Sequence, residues 1–148
     1  MIPLRSAILP AFMLVTVLFN SCKKEKDKEE TCTASTATIS GSYKITAVTY
    51  KLNSTAPEEN HLTDDFTDAC DRDNVYTYQT NGTYQIQDAG TVCSPSSDDN
   101  GTWSLSGNSM VVDGGPSTIE SFDCKTLVLS LTDVEVTGDK YKITFTKQ

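Results

Sequence analysis

Histidine and basic side chains are scarce in this sequence. His61 is its one histidine, and 12 Lys and Arg residues stand against 20 Asp and Glu, for a formal net charge of −8. A single imidazole in a polar, acidic stretch, with no nucleophile motif near it, argues against a Ser/His/Asp or Cys/His catalytic arrangement. We therefore interpret His61 as a surface residue and predict that the protein is not an enzyme. The negative charge disfavours nucleic acid, and we predict no such partner.

Metal-ligand patterns are also lacking. No His and Cys spacing matches a structural zinc site, so we predict no metal and no cofactor. Oxygen ligands do occur in two runs, Asp71-Arg72-Asp73-Asn74 and Asp98-Asp99-Asn100. Neither run continues with the glycine and terminal glutamate of an EF-hand loop. We interpret these acids as solvated, and a cation site is the weaker alternative.

Long apolar runs are missing except near the N-terminus. The stretch from Ala7 to Phe19 is mostly apolar, and it falls short of the ~20 residues that a membrane-spanning helix needs. Arg5 precedes it and Ser21-Cys22 follows it. This order is typical of a bacterial lipoprotein signal peptide. We predict a signal peptide over residues 1–21 and lipid attachment at Cys22, whose acyl chains, palmitate among them, hold the protein on a membrane.

Charged residues of both signs follow Cys22, from Lys23 to Glu30. Such a segment buries too little apolar surface to offset the entropy of ordering. We predict a flexible, charged tether over residues 22–38. The anchor is expected to lie in the outer membrane of the cell envelope, and the sequence leaves open whether the protein is periplasmic or surface-exposed.

Alternating polar and apolar residues dominate the sequence after residue 40. With turn signals such as Asn81-Gly82 and Gly107-Asn108, this pattern predicts short antiparallel strands. The predicted strands are Ser42 to Lys51, Asp73 to Thr80, Thr83 to Val92, Thr102 to Ser106, Ser109 to Asp113, Ser117 to Phe122, Lys125 to Thr132 and Asp139 to Thr146. One or two helical turns are expected between Pro57 and Cys70. Because each strand has one apolar face, which on the first strand comprises Tyr43, Ile45 and Ala47, the sheet must curl or double, giving a barrel or a sandwich. Consecutive hairpins favour the barrel. The fold class is all-β: an up-and-down antiparallel β-barrel of about eight strands.

Four cysteines remain once Cys22 is acylated, and an even number in an exported chain predicts two disulfides. A three-residue loop with Gly82 in the left-handed conformation places Tyr78 opposite Tyr84. A two-residue loop, the alternative, places Cys70 directly opposite Cys93. We prefer the first register. It leaves Cys70 and Cys93 one residue away from facing each other, and a bulge near Gly90 or Asp71 would bring them opposite each other.

Either register predicts a disulfide between Cys70 and Cys93. Up-and-down topology places Cys32 and Cys124 at the same end of the barrel, which allows the second pair, although Cys32 lies close to the predicted tether.

The two ends of this barrel differ in the length and charge of their loops. Tight turns close the end where the first strand starts, whereas the longer loops 52–72, 94–101, 113–116 and 133–138 surround the other end and are rich in Asp and Glu. We call this second end the mouth. Large aromatic side chains on the inward faces are the candidate ligand-binding residues, and filling of the core is the alternative role. They are Tyr43, Tyr76, Tyr78, Tyr84, Trp103 and Tyr141.

Several short motifs together resemble a known family. Gly41-Ser42-Tyr43 is similar to the Gly-X-Trp of lipocalins, and Asn81-Gly82-Thr83-Tyr84 and Gly101-Thr102-Trp103-Ser104-Leu105 resemble the small lipocalin-like domain of bacterial lipoproteins. The resemblance covers residues about 39 to 147, and because its motifs are mainly structural it implies the barrel more than any ligand. We assign the barrel domain to residues 39–148 and predict that it binds a small, partly apolar ligand. The alternative is a filled barrel that serves as an envelope-structural module or contacts a surface protein partner.

Overall fold

A computed structural model describes residues 32–66 and 68–148. The predicted signal peptide and Cys22 lie outside the described residues. Within these ranges the chain forms nine strands, two one-turn α-helices and a 3-10 turn. Their bounds are α1 Thr36–Ile39, β1 Gly41–Lys51, β2 Glu59–Asn60, α2 Leu62–Asp65, the 3-10 turn Asp71–Asp73, β3 Val75–Tyr78, β4 Thr83–Gln87, β5 Asp99–Ser106, β6 Ser109–Val112, β7 Gly115–Phe122, β8 Thr126–Thr132 and β9 Lys140–Lys147. None of the described helices has the length and apolar character needed to span a bilayer.

The sheet closes on itself because β1 pairs with β9 as well as with β3. The β1/β9 pairing runs from Tyr43 opposite Lys147 to Lys51 opposite Lys140. All the pairings are antiparallel, and successive strands are neighbours from β3 to β9. The predicted all-β, up-and-down barrel is thereby confirmed. The additional strand β2, which pairs with Thr49 and Tyr50 of β1, lies in the segment predicted as a loop with one or two helical turns, and α2 is one such turn.

The hairpin between β3 and β4 has the preferred register. Tyr78 lies opposite Tyr84 and Tyr76 opposite Ile86. The Gln79 backbone N–H donates to the Thr83 carbonyl, which leaves a three-residue loop, and Gly82 has a φ of 84°. Glycine enters this left-handed region without steric cost, so its position selects this loop over the two-residue form.

Two details of strand register differ from the prediction. In β1, a bulge between Ile45 and Ala47 adds one residue and reverses the alternation of faces. Val48, at 2% exposure, is therefore buried in place of Ala47. In β4 the strand ends at Gln87, not Val92, and the register with β3 carries no bulge. The loop after Gln87, not a bulge near Gly90 or Asp71, brings the cysteines together.

Both expected disulfides are present, joining Cys70 to Cys93 and Cys32 to Cys124. The second one ties the segment before α1 to the turn between β7 and β8. Residues 32–38, assigned to the flexible tether, therefore pack on the barrel. Their order also has a local cause, because Ser35 and Thr38 form a capping box at the start of α1.

The closed end of the barrel is filled by a compact apolar core. α1 places Ile39, which is fully buried, against Tyr43, and the Tyr43 hydroxyl donates to the Ile39 carbonyl over 2.5 Å. Trp103, Met110, Ile119 and Leu127 belong to the same buried cluster. Packing is therefore dense at this end. The other half of the barrel, towards the mouth, contains a cavity.

Candidate ligand cavity

An apolar cavity of about 300 Å³ occupies the half of the barrel nearer the mouth. Its walls come from seven strands, β1, β3, β4 and β6 to β9, and Phe66, in the loop before the 3-10 turn, contributes from the rim. An Arg72 guanidinium N–H donates to the Phe66 carbonyl over 2.6 Å and so holds this loop in place. The lining residues are Ile45, Phe66, Tyr76, Tyr78, Tyr84, Ile86, Val112, Gly115, Ser117, Leu129, Leu131, Ile143 and Phe145.

Three of the six candidate ligand-binding aromatics line this cavity: Tyr76, Tyr78 and Tyr84. Tyr43 and Trp103 instead belong to the core at the closed end, where the Trp103 indole N–H donates to the Gln79 carbonyl over 2.9 Å. The Tyr43 hydroxyl and the Trp103 indole N–H both donate to backbone carbonyls at that end, and neither residue lines the cavity. Tyr141 lies apart, in the aromatic group described below.

Tyr78 forms the floor of the cavity and joins it to the core. Its ring is 5.5 Å from that of Trp103 and 6.0 Å from that of Tyr43, both in edge-to-face arrangements. Edge-to-face pairs add stability beyond the area they bury. The residue is 4% exposed, and this burial, together with the neighbouring phenols of Tyr76 and Tyr84, raises the pKa of Tyr78 well above its usual range. The hydroxyl is therefore protonated at every physiological pH and is a hydrogen-bond donor.

The six tyrosine hydroxyls of the chain fall into two groups. Four of them donate hydrogen bonds: Tyr43 to the Ile39 carbonyl, Tyr50 to Asp139, Tyr84 to Asp113 and Tyr141 to Glu135. Among residues 32–66 and 68–148, the hydroxyls of Tyr76 and Tyr78 make no hydrogen bond. Both of these rings line the cavity. The two uncommitted donors are thus concentrated where a ligand would lie.

Tyr84 is fixed from outside the cavity by the turn between β6 and β7. Its hydroxyl donates to Asp113 over 2.5 Å, and the same carboxylate accepts the Thr102 backbone N–H over 2.8 Å. The hydrogen bond to the carboxylate, followed by burial, raises the pKa of Tyr84 to about 12. The same bonds lower the pKa of Asp113. Asp113 is therefore ionised at the rim of the cavity.

A second aromatic group lies beside the cavity, where β1 and β9 approach the mouth. The Tyr50 ring is 4.8 Å from that of Tyr141 and 4.9 Å from that of His61. His61 was predicted to be a surface residue, but its side chain is 20% exposed and lies 3.8 Å from the Asp65 carboxylate. It is half-buried because the β1 bulge turns Tyr50 towards it. No described nucleophile accompanies this imidazole within the group.

Two acids beside the mouth loops, Asp139 and Asp88, bind backbone N–H groups. Asp139, 1% exposed, accepts the N–H groups of three residues, Val134, Glu135 and Val136. Burial opposes ionisation of Asp139, but these three bonds outweigh it and lower its pKa. Asp88 accepts the backbone N–H groups of Cys93 and Ser97. These two carboxylates are therefore structural.

The run Asp71-Arg72-Asp73-Asn74 is organised in a similar way. Asp71 accepts the Ser97 hydroxyl over 2.7 Å, and Asp73 accepts the Thr91 backbone N–H over 2.9 Å. In the described ranges, the grouping with three close ligand atoms at this place is Asp71 with Cys70 and Cys93. Since both sulfurs are in a disulfide, they offer no thiolate to a metal.

Some lining residues were not singled out from the sequence as ligand contacts. Ile86, Leu129, Ile143 and Phe145 lie on faces that the alternating pattern marked as apolar, so the pattern held the signal for them. Phe66 is an isolated aromatic in a polar loop. Nothing in its local sequence indicates that the loop folds over the barrel.

One family model, described as a lipocalin-like domain, matches residues 39–148. The matched region contains all nine strands and the whole lining of the cavity. Comparison with curated proteins finds no match. Since the family match spans most of the chain and the strands close into the barrel that it implies, the chain belongs to the lipocalin-like domain family.

Proposed function

We propose that this protein is an extracytoplasmic, membrane-anchored binding protein that holds a small, partly apolar ligand in the barrel cavity. The observation that carries the proposal is the cavity of about 300 Å³, lined almost wholly by apolar and aromatic side chains. This volume is at the lower end of the usual range for small-molecule sites, and such sites combine apolar walls with a few polar groups. A filled barrel, the alternative from the sequence, would have a packed interior.

Charge around the cavity restricts the ligand. No Lys or Arg is among the described residues that line it. Asp113 lies at its rim with a lowered pKa, and the mouth loops contain many other carboxylates. An anion such as a fatty acid would lose its hydration and meet negative charge. An uncharged ligand meets neither penalty.

The extracytoplasmic location is supported by two disulfides, since such bonds persist in oxidising compartments. Anchoring through Cys22 rests on the Ser21-Cys22 signal after an apolar run. The cavity lies in the half of the barrel opposite α1, which follows the N-terminal segment. A protein held by that segment would keep its mouth accessible.

A contact with a surface protein is the second candidate. Leu52, Val134 and Val136 are 48–53% exposed in the loops of the mouth. Leu52 directly follows the last residue of β1, and the two valines lie in the loop before β9, the strand that pairs with β1. Exposed apolar residues grouped in this way are typical of docking surfaces.

The test of the binding function uses N-phenyl-1-naphthylamine, an uncharged apolar probe whose fluorescence rises in apolar surroundings. The full chain in lipid nanodiscs is titrated, and empty nanodiscs of the same composition serve as the blank. We expect saturable binding of one probe per chain. Val112→Phe, which enlarges a lining side chain, should weaken binding about tenfold, because overfilling a packed site costs about 1–3 kcal/mol.

Val111→Phe is the matched control. Val111 lies opposite Ser104, whereas Val112 lies opposite Trp103, so the two valines face opposite sides of the sheet. The control should bind the probe as the unchanged chain does. Absence of saturable binding, or equal weakening by both substitutions, would contradict a ligand site in the cavity.

A further inference from the structure

Two phenol groups in the cavity wall have hydrogen-bond donors that the protein itself does not use. Tyr76 and Tyr78 are two residues apart in β3, so their side chains lie on the same face of the strand. Their hydroxyls make no hydrogen bond in the described part of the chain. Neither hydroxyl is among the buried side-chain atoms that lack a partner in this part of the chain, which are Asp73 Oδ1 and Asn74 Oδ1, so both hydroxyls are open to the cavity. Two such donors on one apolar cavity point to a polar atom that arrives with the ligand.

The other two hydroxyl groups of the lining already donate hydrogen bonds within the protein. The Ser117 hydroxyl donates to the Met110 carbonyl over 2.9 Å, and the Tyr84 hydroxyl donates to Asp113. Among the described lining residues, the unused hydroxyl donors are therefore those of Tyr76 and Tyr78. Because a phenol with a raised pKa stays protonated, the wall offers donors and requires an acceptor.

We propose, as a consequence of the binding function proposed above, that Tyr76 and Tyr78 donate hydrogen bonds to an uncharged acceptor on the ligand. A carbonyl oxygen of a ketone, ester or amide fits this role, because its two lone pairs accept two donors at once. The apolar remainder of the ligand packs against Ile86, Leu129 and Phe145.

Two other ligand classes are disfavoured by the same wall. A carboxylate would accept both hydrogen bonds, but no described lining residue supplies a positive charge to compensate it. An ammonium group has only donors, so it could donate to the phenol oxygens but would leave both phenol O–H donors without an acceptor. The cavity is therefore specific for apolar carbonyl compounds over their hydrocarbon, acid and amine analogues.

The test compares 2-acetylnaphthalene with 2-ethylnaphthalene, which have nearly the same shape and differ in the carbonyl oxygen. The full chain in lipid nanodiscs is titrated with each by calorimetry, against empty nanodiscs. We expect the ketone to bind about fivefold more tightly or better, since a buried hydrogen bond contributes about 1 kcal/mol. The double variant Tyr76→Phe/Tyr78→Phe should bind the two compounds equally.

Tyr43→Phe is the control, because the Tyr43 hydroxyl is committed to Ile39 outside the cavity. It should keep the preference for the ketone. Thermal unfolding distinguishes lost recognition from a lost fold: the double variant should unfold at nearly the same temperature as the unchanged chain, because the two hydroxyls bond to no other group in the described part of the protein.

Equal binding of both compounds to the unchanged chain, or a ketone preference that survives the double substitution, would overturn this inference and leave the binding function intact. If neither compound binds, while N-phenyl-1-naphthylamine does, the inference also fails alone. If none of the three binds, both proposals fail.

Discussion

The Tyr84 hydroxyl donates a hydrogen bond of 2.5 Å to Asp113, and this bond joins the cavity wall on β4 to the turn between β6 and β7. Asp113 and Gly114 have φ values of 47° and 82°, the pair of positive values that a two-residue Asp-Gly hairpin loop adopts. The bond therefore ties the cavity wall to a turn that its local sequence already favours. It also explains why a carboxylate lies so near an apolar cavity.

Replacing Tyr84 by Phe should destabilise the fold by about 1–2 kcal/mol, the usual loss when a hydrogen bond to a charged partner is removed. Urea unfolding followed by circular dichroism measures the change. Tyr76→Phe is the matched control, because it removes a cavity hydroxyl that has no described partner. Equal destabilisation by the two substitutions would show that the Tyr84 bond contributes nothing of its own.

Acidic pH should destabilise the protein through Asp113, Asp88 and Asp123, whose pKa values are lowered from 3.8 mainly by hydrogen bonds. A carboxylate with a lowered pKa in the folded state contributes stability above the pKa of the unfolded chain. That contribution is lost as the pH falls through the folded-state pKa. We expect a constant free energy of unfolding from about pH 5 to 7 and a decrease below about pH 4. In Tyr84→Phe this decrease should be smaller. The same decrease in the free energy of unfolding in both proteins would contradict the assignment to Asp113.

Alkaline pH provides the opposite test for the tyrosines. Burial raises the pKa of Tyr43 to about 12, and the bond to Asp113 raises that of Tyr84 to about 12. A group with a raised pKa stabilises the fold below its unfolded-state pKa, and the stabilisation is lost as the pH rises through the folded value. Absorbance at the phenolate band should therefore show that these tyrosines titrate about two units above free tyrosine, together with unfolding. Titration of all six tyrosines near pH 10 in the folded chain would contradict this environment.

Gly101 should be intolerant of a side chain. A Cβ atom there would collide with the carboxylate of Asp113, so Gly101→Ala must displace the acid that receives the Tyr84 and Thr102 bonds. We expect Gly101→Ala to lower the melting temperature markedly, and Gly107→Ala, where a Cβ would meet no neighbour but φ is 58°, to measure the cost of strain alone. In an Asp113→Ala background most of the Gly101→Ala penalty should disappear. Full additivity would contradict the collision.

The two disulfides should differ in what their removal costs. Chain entropy assigns about 5 kcal/mol to the Cys32–Cys124 bond and about 3 kcal/mol to the Cys70–Cys93 bond, because their sequence separations are 92 and 23 residues. Paired Cys→Ser variants and urea unfolding measure both. A larger loss for the Cys70–Cys93 variant would indicate that native contacts, not loop length, set the order.

Lipid attachment at Cys22 is testable by labelling. Cys22→Ala should abolish incorporation of a palmitate analogue when the chain is expressed in a bacterium, whereas Cys32→Ser should retain it, since Cys32 is engaged in a disulfide. Label that persists in Cys22→Ala would refute the anchor.

Much of the barrel could be predicted from the sequence because alternation and turn residues act locally. Gly82 selected the β3/β4 loop, and with it the opposition of Tyr78 and Tyr84. The β1 bulge was not predictable in this way, because the extra residue is defined by pairing with β9 and not by any local signal. Its effect is substantial, since it buries Val48 and turns Tyr50 towards His61 and Tyr141.

The candidate site was predicted in part for the same reason. Tyr76, Tyr78 and Tyr84 lie on strands whose faces the pattern assigned correctly. Whether an inward aromatic side chain fills the core or lines the cavity depends on its position along the barrel axis. α1 closes one end of the barrel by packing Ile39 against Tyr43. α1 begins at Thr36, among the residues assigned to the tether, so alternation along the strands contained no sign of this contact.

The bond between Cys32 and Cys124 also determines where mechanical load would enter the domain. Tension applied to the segment before residue 32 would pass through the sulfur atoms to the turn between β7 and β8, without first pulling on α1. The loops around the opening would carry none of that load. If the protein is anchored through Cys22 as proposed, a pull on the anchor would reach the barrel at the end opposite the cavity.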